Sequence, residues 1–153
     1  MKENLKIKEA LYASCIEFIE DRLQTIQNTI RDIQGSLTSE TKSSAGDKHE
    51  TGRAMLQLER EKAGNQLSEI QKVKEALSKM DIYKNLTNIG IGSVVYTSKS
   101  NYFIAISAGE ILVGNEQFYA ISASTPIAKL LLSKQEGDCI SFRNQNFEII
   151  KVI

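Results

Sequence analysis

The chain has 153 residues with 19 basic and 19 acidic side chains, so its formal net charge is zero. This length leaves no room for a large enzyme core, and the balanced charge argues against a broad basic surface for free, sequence-specific binding of DNA. The first residues lack the apolar run of a signal peptide, and no segment is long enough to cross a bilayer, so we expect a cytoplasmic protein without a membrane partner.

The first half of the chain carries a heptad pattern. From Tyr12, apolar residues recur at alternating spacings of four and three, which is typical of a coiled-coil seam. These positions are Tyr12, Ile16, Ile19, Leu23, Ile26, Ile30, Ile33 and Leu37. A second run follows at Leu56, Ala63, Ile70 and Leu77, with Leu67 between its members.

Antiparallel pairing of the two runs places Ile26 beside Ala63 and Tyr12 beside Leu77, and the paired residue numbers sum to 89 or 90. This register puts the bend near residues 44–45, inside a small polar segment (TSETKSSAG) that suits a turn between helices. We therefore predict an antiparallel coiled-coil hairpin over residues 1–84, with its tip near residues 44–50. Arg60 and Lys74 occupy two seam positions, and we interpret both first as structural residues whose stems cover apolar surface.

The pattern changes near residues 84–88, and short segments rich in β-branched and aromatic residues follow. They predict six strands, at Ser93–Thr97, Tyr102–Ser107, Glu110–Val113, Gln117–Ser122, Cys139–Phe142 and Phe147–Ile153. One helix begins at Pro126, the only proline, and runs to Leu132, after which Gly137-Asp138 marks a turn. We predict an α+β fold in which residues 85–153 form a small antiparallel sheet with one helix on one face.

Two motifs of this chain resemble those of the bacterial Gre transcript-cleavage factors. The first is Gly46–Glu50 (GDKHE) at the predicted hairpin tip, and the second is Ser122–Leu132 (SASTPIAKLLL), followed by Gly137-Asp138. The resemblance covers nearly the whole chain and implies an FKBP-like C-terminal domain. It also implies a transcription elongation factor whose coil enters the secondary channel of RNA polymerase, while the C-terminal domain docks on the channel rim. The implied partners are RNA polymerase and the 3′ end of the nascent RNA.

The resemblance further implies that Asp47 and Glu50 help to hold Mg²⁺ within the polymerase complex, so that the polymerase cleaves its own backtracked RNA. The protein would then stimulate an enzyme without being one. The residue types fit this role, because Mg²⁺ accepts one or two carboxylates while it retains waters, and residues i and i+3 share one face of a helix. The same pair also fits a helix start with an acidic cap, and the two interpretations remain open together.

The chain departs from the family directly after Glu50. In Gre factors the acid at the position of Glu50 usually begins the sequence Glu-Asn-Ala-Glu-Tyr. In this chain Glu50 is followed by Thr51–Ala54 (TGRA), which lacks the aromatic residue and the second acid. The departure leaves open a regulator that binds the channel without promoting cleavage. Candidates for contacts with RNA phosphate are the basic residues Lys42, Lys48, Arg53 and Arg60, although scattered charges on a helix are also typical of a solvated face. His49 flanks the acids as well.

A third alternative belongs to another class, a prolyl isomerase or protein-binding module built on the FKBP-like domain. The short predicted loops offer little from which to form an apolar pocket. The sequence contains no cluster typical of a nucleophilic or metal-dependent enzyme and no glycine-rich phosphate loop. Cys15 and Cys139 are isolated, and we expect both to be reduced thiols.

Overall fold

The computed structural model describes residues 2–42 and 47–153, with side chains at residues 2–39 and 50–153. The elements in chain order are α1 Lys2–Lys42, α2 Asp47–Ser78, β1 Val94–Thr97, β2 Asn101–Ala105, β3 Gly109–Val113, β4 Glu116–Ser122, α3 Pro126–Leu131, β5 Cys139–Phe142 and β6 Gln145–Val152. The predicted fold class is confirmed: two long helices form a hairpin, and a six-stranded sheet with one short helix follows. The predicted bend at residues 44–45 lies outside the described residues.

The chain divides into two compact units. The helical unit is Ile19–Glu75, and the sheet unit combines Met1–Phe18 with Ala76–Ile153. The sequence-based boundary between residues 84 and 85 follows the change in periodicity, whereas these units follow packing. By packing, the first turns of α1 and the end of α2 belong with the sheet. None of the described helices combines the length and apolar character needed to span a membrane.

In the helical unit, the two helices pack along the predicted seam. Ile19, Ile26 and Ile33 of α1 are buried, and so are Ala63 and Ile70 of α2. Because an isolated helix cannot bury its own side chains, burial at this spacing in both helices places the two seams against each other. The half-buried positions include the remaining seam residues Leu23, Ile30, Leu37, Leu56, Arg60, Leu67 and Lys74.

The sheet has the strand order β3-β4-β2-β1-β6-β5. Four of its five pairings are antiparallel, but β2 and β4 run parallel, from Asn101 beside Phe118 to Ala105 beside Ser122. The prediction of an antiparallel sheet therefore missed this pairing. The parallel pairing arises because β3, the first strand of the β3–β4 hairpin, lies at the edge of the sheet, so that β4 becomes the neighbour of β2.

Both faces of the sheet carry buried side chains, as the alternation of a strand requires. One face packs against α3 through Ile127, Ala128 and Leu131. The first turns of α1 lie on the other face, where Lys151 extends over the Tyr96 ring and donates a hydrogen bond to Asn4 of α1 at 3.2 Å. Further along α1, Leu11 and Cys15 are completely buried. The predicted single helix on one face is thus joined by α1 on the opposite face.

Candidate functional site at the start of α2

The predicted acidic pair falls on the first turn of α2. This helix begins at Asp47, and Glu50, three residues later, has an exposed side chain. A spacing of three places both residues on one face, and the partial positive charge of the helix start favours carboxylates there. The side chains of Asp47, Lys42, Lys48 and His49 lie outside the described residues, so their predicted roles stay predictions.

The basic candidates Arg53 and Arg60 differ in their surroundings. Arg53 is exposed, one helical turn after Glu50. Arg60 is half-buried, and its Nη1 lies 3.0 Å from the position that a Cβ atom would take at Gly64. The Arg60 side chain therefore extends along α2 itself, as expected of a seam residue whose stem covers apolar surface. Of these two arginines, Arg53 is the one presented to solvent.

The start of α2 carries acidic residues, whose carboxylate oxygens are donors of the kind that Mg²⁺ prefers. Among the described side chains, at residues 2–39 and 50–153, no three His, Cys, Asp or Glu groups come together in a cluster that could hold a metal ion. Mg²⁺ commonly takes only one or two protein carboxylates and completes its octahedral shell with water and phosphate oxygens. The exposed carboxylate of Glu50, with a second acid at Asp47 on the same face, fits such a shared site in its donor chemistry.

The second Gre-like motif has a structural role at the start of α3. Thr125 is the N-cap: its hydroxyl donates to the Ser122 carbonyl at 2.8 Å and accepts from the Ala128 amide at 3.4 Å. Pro126 follows at the start of the helix, and the hydroxyls of Ser122 and Ser124 are 2.9 Å apart. These contacts remain within the motif, so they fix the entry of α3 onto the sheet.

The Gly137-Asp138 turn is also structural. Gly137 has a φ of +90°, a conformation that side-chain-bearing residues rarely adopt, and its amide donates to the Ile149 carbonyl at 2.8 Å. The Ile149 amide donates to the Asp138 carbonyl at 2.8 Å, while the Asp138 carboxylate accepts from the Gln135 amide at 2.9 Å. The turn thereby ties the start of β5 to β6, and the residues carrying the C-terminal resemblance stabilise the sheet unit.

Sequence reasoning missed one charged residue, Lys8 of α1, which is 3% exposed. Its Nζ donates to the Lys84 carbonyl at 3.5 Å. Desolvation by burial lowers the pKa of Lys8, and the charge of Asp81 opposes that shift. The burial of Lys8 could have been predicted from its spacing, because Lys8 precedes the apolar residues Leu11 and Cys15 on one helix face.

The comparisons with known proteins find similarity to a solved structure. The solved structure of the transcription factor Gfh1 is similar to this chain at a TM-score of 0.36 and 18% sequence identity, over 90% of this chain and 92% of that one. No protein-family model matches the chain, and no curated protein matches it. A similarity of this size carries no argument about function.

Proposed function

We propose that this protein is a transcription elongation factor that inserts the loop end of its hairpin into the secondary channel of RNA polymerase and stimulates cleavage of backtracked RNA. The proposal depends on the position of the acidic motif, which begins α2 directly after the segment joining the two helices and leaves Glu50 exposed. The motifs shared with the Gre factors suggest RNA polymerase as the partner and the nascent RNA 3′ end as the substrate.

In this proposal Asp47 and Glu50 hold Mg²⁺ jointly with carboxylates of the polymerase. The ion would neutralise charge on the scissile phosphate and lower the pKa of a bound water. In this proposal the chain contributes two hard oxygen ligands on one helix face. In the same proposal the exposed Arg53, one turn further along α2, contacts RNA phosphate.

A second candidate, a channel-binding regulator without cleavage activity, is favoured by the sequence after Glu50. Thr51–Ala54 lacks the aromatic residue and the second acid typical of Gre factors. It also places Gly52 within α2, and glycine in a helix interior costs about 1 kcal/mol relative to alanine. A less stable first turn of α2 would position Asp47 and Glu50 less precisely. RNA polymerase would still bind the surface of the hairpin.

A stalled elongation complex, prepared with RNA polymerase of the same organism, tests both candidates. The protein is added at saturating concentration over a range of Mg²⁺ concentrations, and the RNA is resolved on sequencing gels. Cleavage at least tenfold faster than with polymerase alone supports the factor. Inhibited elongation without new cleavage products supports the regulator. Absence of polymerase binding overturns both, and a prolyl-isomerase assay on a peptide substrate then tests the remaining class.

A further inference from the structure

The sheet unit contains a cleft of about 440 Å³ whose walls come from the start of α1, the segment after α2 and the C-terminal end of the described chain. Its lining includes Leu5, Lys8, Ile82, Leu86, Val152 and Ile153. This volume lies in the range of small-molecule sites, which are mostly apolar with a few polar groups that orient the ligand. None of the lining residues belongs to the site at the start of α2.

The cleft contains a buried cation that lacks a close counter-ion. Lys8 is 3% exposed, and the hydrogen bond from its Nζ to the Lys84 carbonyl is long, at 3.5 Å. Asp81 acts on Lys8 only through its charge, and the described residues form no ion pair with Lys8. One Asp81 carboxylate oxygen already accepts from the Tyr83 amide at 2.9 Å. Burial of an ammonium group under these conditions is costly, and an anion within contact distance would remove much of that cost.

The remaining surface of the cleft suits hydrocarbon. Ile82 is buried, Leu86 is half-buried, and Leu5 is 37% exposed, so apolar surface extends from the interior to the opening. Lys2, also part of the lining, is exposed and adds a second positive charge. The cleft therefore combines an inner cation, an aliphatic wall and an outer cation.

We propose that this cleft binds a small organic anion with an aliphatic body. Its negative group pairs with the Lys8 ammonium, and its hydrocarbon part packs against Leu5, Ile82 and Leu86. A carboxylate and a phosphate monoester share the required chemistry, since either places oxygen acceptors within reach of a lysine. This site is independent of the proposed role in transcription.

The test uses three eight-carbon probes: octanoate, octyl phosphate and the neutral octanamide. Each is titrated into the full-length, ¹⁵N-labelled protein, and binding is followed by amide chemical shifts of the cleft residues. We expect saturable binding of at least one anion, at least tenfold tighter than that of octanamide. The tighter of the two anions identifies the head group.

Two variants and a matched control locate the site. Lys8→Met keeps an unbranched side chain only one atom shorter while removing its charge, and it should weaken anion binding at least tenfold. Lys6→Met changes an exposed lysine of the same helix and should leave binding unchanged. Leu5→Trp fills the cleft from a partly exposed position and should abolish binding. If Lys8→Met does not fold, the binding measured for Leu5→Trp tests the proposal instead. The proposal is wrong if octanamide binds as tightly as the anions, if neither anion binds, or if the folded variants bind like the wild type.

Discussion

The phenolic hydroxyl of Tyr12 donates a 2.8 Å hydrogen bond to the backbone carbonyl of Leu77. This bond connects α1 to the last turn of α2, where carbonyl groups have no partner within the helix. The same carbonyl accepts from the Met80 amide at 3.2 Å. Tyr12 therefore satisfies a helix end and fixes the register between the two helices within the sheet unit.

Removal of this hydroxyl should destabilise the protein without affecting the proposed site. We expect Tyr12→Phe to lower the free energy of unfolding by about 1 kcal/mol, the usual net contribution of one hydrogen bond. Tyr83→Phe is the matched control, because Tyr83 is 65% exposed, and its expected change is below about 0.5 kcal/mol. Urea denaturation followed by circular dichroism measures both. Equal stability of the two variants would contradict the role given to Tyr12.

Gly35, in the interior of α1, is expected to be a site of easy stabilisation. A Cβ atom added there meets nothing within 4 Å. Gly35→Ala should therefore raise the free energy of unfolding by about 0.5–1 kcal/mol through the loss of backbone freedom in the unfolded chain.

Gly92→Ala provides the opposite case. Gly92 has a φ of +94°, and its added Cβ would lie 3.3 Å from the Asp81 carbonyl oxygen. We expect a loss of at least about 1 kcal/mol, and urea denaturation followed by circular dichroism measures both glycine variants. If both glycine variants shift stability in the same direction, the backbone conformation at one of the two positions has been assigned wrongly.

The two cysteines should differ in reactivity. Burial raises the pKa of the Cys15 thiol to about 11, although a hydrogen bond with the Ile106 backbone opposes this shift, whereas Cys139 is exposed. At pH 8 the thiolate fraction of Cys15 is then roughly a hundredth of that of an ordinary thiol, and reagents also lack access to it. Iodoacetamide should label Cys139 first, and Cys15 should react only on unfolding. Peptide mass spectrometry at timed intervals checks this, and equal labelling rates in the folded protein would contradict the burial of Cys15.

The fragment 85–153 should be less stable than its counterpart in the full chain. The sheet unit includes residues up to Phe18 of α1, and Leu11 and Cys15 are completely buried within it. Without α1, the apolar face that these residues cover is exposed to water, at roughly 25 cal/mol per Å². We expect a lower melting temperature and binding of an apolar dye by the fragment. A fragment that melts at the temperature of the full chain's sheet unit would show that the predicted boundary at residue 85 separates two independently stable domains.

The heptad seam, the six strands and the start of α3 were predictable because each depends on local periodicity or capping. Burial of Ile26 and Ala63 follows from their spacing, and the cap at Thr125 follows from the proline after it. The parallel pairing of β2 with β4 was not predictable. It depends on which strand of the β3–β4 hairpin lies at the edge of the sheet, and strand periodicity carries no information about that position.

The second apolar face of α1 was missed for a different reason. Leu11 and Cys15 each lie beside a seam residue, Tyr12 and Ile16, so two overlapping stripes on one helix appeared as a single seam. One stripe meets α2, and the other lies against the sheet. Lys8 extends the second stripe, and a lysine in such a position is normally taken for a solvated residue. The cleft around Lys8 could therefore not be predicted from the sequence pattern.

The acidic pair at the start of α2 gives the decisive mechanistic prediction. Asp47→Asn and Glu50→Gln preserve side-chain size and, because asparagine also caps helices well, preserve the helix start, but they remove the charge that Mg²⁺ requires of its ligands. Each should reduce stimulated cleavage of backtracked RNA at least tenfold, with polymerase binding and thermal stability nearly unchanged. Glu61→Gln is the matched control, since it removes an exposed acid further along the same helix and should leave cleavage intact.

A purely structural role for the pair predicts the reverse result. The charge of an acid at a helix start contributes about 1 kcal/mol or less to stability and nothing specific to catalysis, so both variants would melt slightly earlier and cleave as well as the wild type. The four proteins are compared on one stalled elongation complex, at saturating factor and over a range of Mg²⁺ concentrations. If the wild type stimulates cleavage and both variants match it, the carboxylates of Asp47 and Glu50 have no part in the mechanism. A wild type that occupies the channel and slows elongation without new RNA ends would identify the regulator instead, and the variants should then slow elongation as well as it does.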